Sequence, residues 1–212
     1  MTEAVWGPGQ LLYDVSEPVR EVHFPSSSGL SIVTVMEDGA CVECATVGYE
    51  SAVGLLPALC GGVSSNRTLV QLAGSGITLP AAALRQRAAE SPELVDLLLR
   101  FAQVVIAQEE RSVACNALHD IEPRLARWIL QCQDRMNTSV MPLTQDLLAI
   151  MLGVQRTTVS ASASQLRSEG LIRYSRGQLE ILDRTGLERR SCECYHALKK
   201  LQTRLLTTPR DP

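Results

Sequence analysis

The chain has 212 residues, 45% of them hydrophobic, and a formal net charge of −3 at pH 7. That hydrophobic content can fill buried cores and excludes a disordered chain, while the length allows two domains. No apolar run reaches the roughly 18 residues a membrane span needs. The N-terminus also lacks the basic start and apolar stretch of a signal peptide, so a cytoplasmic protein with no membrane partner is expected, its seven cysteines mostly reduced.

The first ninety residues carry short β-type runs, VREVHF, LSIVTVM, ACVECATV and RTLVQL, separated by the turn clusters PSSSG, EDG and GGVSSN. This order predicts a small antiparallel roll or barrel. Cys41 and Cys44 have the spacing of a metal knuckle, but in a strand residues three apart point to opposite faces and chelate one ion badly.

Ser91-Pro92-Glu93 supplies a cap, a first-turn proline and an acidic residue, and predicts a helix running to about Leu118. Leu94, Leu97, Phe101, Val104, Gln108 and Arg111 alternate spacings of three and four, as in a heptad seam, with Leu98 and Val105 widening the apolar face. The expected use is a homodimer.

From Asp120 to Gln133 another helix is expected, with Leu125, Trp128, Ile129 and Cys132 on its apolar side and Trp128 in the core. Thr144 is an N-cap candidate for a helix with Gln145 and Asp146 in its first turn and Leu147, Leu148, Ile150, Met151 and Leu152 as apolar surface, and Gly153 can end it with positive φ. A second helix is expected from about Gln155, with Val159, Ala163 and Leu166 inward and Arg156, Thr157, Thr158 and Ser160 forming a polar face. Gly170 ends it. LIRYSRGQLEIL then alternates as a hairpin turning at Ser175, Arg176 and Gly177. Two helices about a glycine turn, followed by a basic hairpin, predict a winged helix-turn-helix and therefore a helix aimed at DNA.

Charge agrees with that placement. Residues 1–118 hold six basic and thirteen acidic side chains, whereas residues 119–212 hold fourteen basic and ten acidic ones. The basic excess sits in the half that would approach phosphate.

The last segment, TGLERRSCECYHALKKLQTRLL, predicts a closing helix with Tyr195 and Leu198 inward. Cys192 and Cys194 would then lie on different faces, with Cys60, Cys115 and Cys132 scattered elsewhere, so no metal site and no iron-sulfur cluster are expected. His23, His119 and His196 have no evident nucleophile or acid around them, and no phosphate loop or hydrolase motif occurs, so no enzyme is expected.

The stretch LTQDLLAIMLGVQRTTVSASASQLRSEGLIRYSRGQLEILD resembles the DNA-binding domain of the Crp/Fnr family of bacterial transcription regulators. The resemblance implies an α+β chain: a cyclic-nucleotide-binding-like β-roll sensor over 1–90, a dimerisation helix over 91–118 and a winged helix-turn-helix over 119–212. It implies double-stranded DNA as partner, read as a palindrome by a homodimer, with RNA polymerase as a further candidate partner. Arg156 is then assigned to guanine, Thr157 and Ser160 to base edges, Thr158, Arg173 and Arg176 to phosphates, and Gln155 to either. Many family members have a Glu just after the Arg156 position and an Arg shortly beyond. Thr157 and Ala161 stand there instead, so the family half-site does not carry over.

Cyclic-nucleotide-binding members use a Gly-Glu pair and a following Arg beside a hydroxyl residue. Gly54-Leu55 and Arg67-Thr68 are the corresponding residues here, and the missing carboxylate removes the ribose partner. Gly54, Arg67 and Thr68 are thus candidates for an effector pocket, without a cyclic nucleotide as expected ligand. The alternatives to an effector-gated DNA reader are a redox- or metal-sensing version of the same frame and a protein-interaction module that binds DNA loosely.

Overall fold

The structure is a computed structural model that describes residues 1–136 and 138–207. The first half folds as an antiparallel roll of β1 (Thr2–Trp6), β2 (Leu11–Tyr13), β3 (Glu21–Pro25), β4 (Gly29–Val35), β5 (Cys41–Val47), a short helix α1 (Leu55–Cys60), β6 (Arg67–Leu72) and β7 (Gly74–Pro80). One sheet has the order β1-β7-β3 and the other β2-β6-β4-β5. Val22, Leu30, Val47 and Val70 turn into one core with Trp6, Tyr13 and Leu55.

Four of the strands match the expected runs, whereas β1, β2 and β7 add to them. β7 begins Gly74-Ser75-Gly76, a poor strand former by propensity. Its glycines are needed for space: a Cβ on Gly76 would fall 2.3 Å from the Phe24 carbonyl and 2.6 Å from the Trp6 ring. Only a bare backbone lets β7 sit between β1 and β3.

After α2 (Ala81–Glu90), the long helix α3 spans Pro92–Leu118. It begins as expected, with Pro92 in the first turn and Ser91 Oγ accepting from the Leu94 N–H at 3.1 Å. The expected seam is largely consumed inside the chain. Leu94 and Phe101 pack against the roll, and Val104 and Gln108 are buried. The large apolar side chains left open at intervals of seven are instead Leu99 (52% exposed), Ile106 (43%) and Val113 (72%).

The second half comprises α4 (Ile121–Met136), β8 (Val140–Met141), α5 (Gln145–Leu152), α6 (Arg156–Ser168), β9 (Ile172–Ser175), β10 (Gln178–Ile181), α7 (Arg184–Arg190) and α8 (Cys194–Thr207). Asn137 and residues 208–212 of the expected 119–212 unit lie outside the described residues. Leu125, Trp128, Ile129, Leu148, Val159, Leu166 and Leu179 close one core, to which Tyr195 adds its ring. The single closing helix expected here is two helices. Ser191 is extended (φ −72°, ψ 152°), and the Cys192 N–H donates to the Pro123 carbonyl at 3.4 Å instead of continuing the helical ladder.

Val33 and Leu72 of the roll belong to that same core, so the two halves are packed together. Polar bonds cross the joint as well. Glu43 on β5 accepts from Trp128 Nε1 at 2.8 Å, from Thr46 Oγ1 at 2.7 Å and from Ser31 Oγ at 2.5 Å. Arg135 on α4 meets Glu50 at 2.8 Å and donates to the Thr46 carbonyl at 2.7 Å.

Candidate nucleic-acid interface

Thr144 Oγ1 accepts from the Leu147 N–H at 3.1 Å and starts α5. Gly153 ends it at φ 64°, ψ 41°, the left-handed conformation that costs an L side chain about 1–2 kcal/mol. The Val154 N–H then donates to the Ala149 carbonyl at 3.0 Å and turns the chain into α6. Val159, Ala163 and Leu166 are buried against α4 and α5, which fixes the opposite face of α6 outward. Leu171 N–H donates back to the Leu166 carbonyl at 3.0 Å, closing α6 before the wing.

Gln155, Arg156 and Thr157 are exposed together at the N-terminal end of α6, and Thr158 is half-buried. Arg156 meets Asp146 at 3.3 Å, with both side chains 64% exposed. An ion pair that open is worth little and is easily exchanged for a base or phosphate. Ser160 is tied down: its Oγ donates to Gln145 Oε1 at 2.6 Å and braces α5 against α6.

The wing turns on two residues, Arg176 (φ 52°) and Gly177 (φ 76°), the positive-φ pair of a tight hairpin. Tyr174 donates its hydroxyl proton to the Leu143 carbonyl, which anchors the wing beside the start of α5. Arg176 is exposed at the tip, while Arg173 is paired across the hairpin with Glu180 at 2.7 Å.

The candidate effector residues are not brought to one place. Gly54 and Thr68 line a cavity of about 180 Å³ between the roll and α3, together with Tyr13, Ser64, Ile106 and Glu109. Arg67 does not line it. Its guanidinium makes two bonds to Asp14, 2.9 and 3.1 Å long, which hold the Asp14 carboxyl below the usual carboxylate range. The cavity wall has no Arg or Lys, and burial pushes its Glu109 carboxyl up.

Residues 123–190 match the Crp-like helix-turn-helix domain. The global nitrogen regulator of Nostoc sp. is 26% identical over 176 residues, 78% of each chain. The CRP-like cAMP-activated global transcriptional regulator of Mycobacterium tuberculosis is 27% identical over 135 residues, 60% of this chain and 59% of that one. The fold matches FixK2 from Bradyrhizobium japonicum with a TM-score of 0.77 at 18% identity, covering 90% of this chain and 97% of that one. Residues 123–190 thus form a Crp-like helix-turn-helix domain, in a chain similar over most of its length to a bacterial regulator and to FixK2 in fold. No helix among the described residues is long and apolar enough to cross a membrane.

One constellation was invisible in the sequence. Cys115 and His119, at the end of α3, meet Cys192 and Cys194 from the α7–α8 junction. The expectation of scattered thiols rested on one closing helix, and the break at Ser191 removes that premise: Cys192 lies before α8 rather than on it. A hydrogen bond from Cys192 holds the Cys115 thiol down, to about 5, while Cys192 itself is pushed up as the donor. No spacing rule links residues 115 and 192, and the only available signal was the residue types themselves.

Proposed function

We propose that the protein is a sequence-specific DNA-binding regulator that reads a palindromic site as a homodimer, with α6 in the major groove and the wing on the backbone. The observation that carries this reading is the open end of α6, where Gln155, Arg156 and Thr157 stand free of the core beside a wing tipped by Arg176. Arg156 is assigned to a guanine edge, Gln155 and Thr157 to neighbouring contacts, and Thr158, Arg173 and Arg176 to phosphates; Ser160 acts by bracing α5. Arg156→Ala is expected to cost about 1–3 kcal/mol of binding and relax preference at one base pair, whereas Arg176→Ala should lower the salt slope by about one without changing the preferred sequence. Equal weakening by Arg156→Ala on the selected site and on random DNA would remove its reading role.

The dimer seam is assigned to Leu99, Ile106 and Val113, which recur at intervals of seven along α3. This register replaces the one through Leu94, Leu97, Phe101, Val104, Gln108 and Arg111, because the roll, α4 and α8 already occupy most of those residues. Ile106→Glu should give a monomer by sedimentation analysis and abolish cooperative occupancy of two half-sites. A dimer that survives it would move the seam elsewhere.

The roll over residues 1–90 is assigned a sensing role through the cavity at Gly54 and Thr68. At about 180 Å³, and without a cation in its wall, that space fits a small uncharged effector better than a cyclic nucleotide. Ile106 belongs to both the cavity wall and the exposed side of α3, so cavity occupancy and helix pairing share a residue.

A further inference from the structure

Cys115 Sγ lies 3.6 Å from Cys192 Sγ, Cys194 Sγ lies 3.7 Å from His119 Nδ1, and the four ligand atoms all fall within 4.8 Å of one another. A tetrahedral zinc ion, with Zn–S near 2.3 Å and Zn–N near 2.0 Å, spaces its ligand atoms about 3.5–3.8 Å apart. Two edges already have that length. A four-iron cluster anchors each ligand to a different iron and needs a wider cage than this one.

The surroundings are those of a metal site in two further respects. His119 Nε2 is 3.0–3.1 Å from the Glu193 carboxylate, which fixes the ring and leaves Nδ1 facing the sulfurs; a carboxylate behind the ligating histidine is the common outer-shell arrangement. The guanidinium groups of Arg124 and Arg127 are buried close enough to act electrostatically on Cys115 and on each other. Neither forms an ion pair with a carboxylate among the described residues, and the Nε atom of each has no hydrogen-bond partner. Buried cations need a counter-charge. Three thiolates and a neutral imidazole around a divalent ion carry a net charge of −1 and supply it.

We infer that Cys115, His119, Cys192 and Cys194 bind one zinc ion, which clamps the end of the long helix α3 to the α7–α8 junction of the winged half and makes operator binding depend on metal loading. Four protein ligands leave no open position, so the site is closed to catalysis and acts through structure. Binding requires all three sulfurs as thiolates, and loading therefore weakens as pH falls. The clamp spans the junction at His119, where α3 passes into α4, so losing the ion frees the winged half from the helix that sets half-site spacing. Its link to DNA binding rests on the proposed function; the metal site does not.

The test is metal analysis of the full-length protein purified under reducing conditions, with cobalt(II) replacing zinc as a spectroscopic probe. One zinc per chain is expected, and the cobalt form should show the ligand-field bands of a tetrahedral sulfur-rich site and a thiolate charge-transfer band. Cys192→Ser should lose both, whereas the exposed Cys60→Ser should lose neither. Glu193→Gln, which spares every ligand, should weaken zinc affinity by about 10–100-fold. Chelation should weaken binding to the selected palindrome, and added Zn²⁺ should restore it. A reduced protein that takes up neither metal, a cobalt spectrum unchanged by Cys192→Ser, or a Cys115–Cys192 disulfide in place of metal would overturn the site. Metal bound as described without DNA binding in any state would uphold the site and reject the DNA-reading function; DNA binding indifferent to loading would overturn the clamp.

Discussion

Arg135→Ala is expected to cost about 3–5 kcal/mol of folding stability in denaturant unfolding. Arg135 and Glu50 are only 8% and 6% exposed and meet at 2.8 Å. The guanidinium also donates to the Thr46 and Gln131 carbonyls, at 2.7 and 2.9 Å. Backbone shape is committed to this contact: a Cβ on Gly48 would fall 2.5 Å from Arg135 Cγ and 2.7 Å from Glu50 Oε2. Truncating Arg135 strands the Glu50 carboxylate in the joint between roll and winged half, without its cation. The loss is that stranded charge more than the pair's own attraction, so Glu50→Leu/Arg135→Met should recover most of it. Added salt should change the wild-type pair little, because buried charges are poorly screened. A single-mutant loss below about 1 kcal/mol would mean that water reaches the pair as it does an exposed ion pair.

The joint also shows what sequence reading can and cannot reach. RTLVQL was legible as a strand and Thr144 and Gly153 as helix ends, because alternation, a capping hydroxyl and a positive-φ glycine are local causes of local structure. The α5–α6 pair and its wing were legible for the same reason, and so were Arg156, Thr157 and Arg176 as an outward set. β7 was not, since Gly74 and Gly76 contradict strand propensity and are explained only by the Trp6 ring and the backbone they let approach. The α3 seam fails differently. Apolar residues recur at helical spacing on more than one face of α3, and only the roll and α8 decide that Leu99, Ile106 and Val113 stay free while Phe101 and Val104 do not. Glu43, Glu50, Trp128 and Arg135 are tertiary pairs 85 residues apart, beyond any periodicity. Cys115 with Cys192 is the extreme case, since the helix break at Ser191 has neither a glycine nor a proline to announce it.

Trp128 should separate the two ways in which the joint is held. Its ring is 2% exposed in the core of the winged half, while Nε1 reaches into the roll to Glu43. Trp128→Ala removes both and should cost about 3–5 kcal/mol, the range for deleting a buried large aromatic. Trp128→Phe keeps most of the apolar volume and removes the donor. Glu43 then retains Ser31 and Thr46 but loses the bond that ties β5 to α4, at an expected cost of about 1–3 kcal/mol. Replacing Glu43 with glutamine in the Trp128→Phe background relieves the charged acceptor, and part of that cost should return. The chain has only two tryptophans, and the other, Trp6, is in the roll core. Fluorescence of Trp128→Phe therefore follows the roll, while far-ultraviolet circular dichroism, dominated by the helices, follows the winged half and α3. If Glu43–Trp128 and Glu50–Arg135 hold the halves as one cooperative unit, the two signals should coincide in wild type and in Trp128→Phe, with a lower midpoint in the variant. They should part only when Arg135→Ala is added. Wild-type signals that already part would show that each half unfolds alone, leaving the joint as a contact between independent domains.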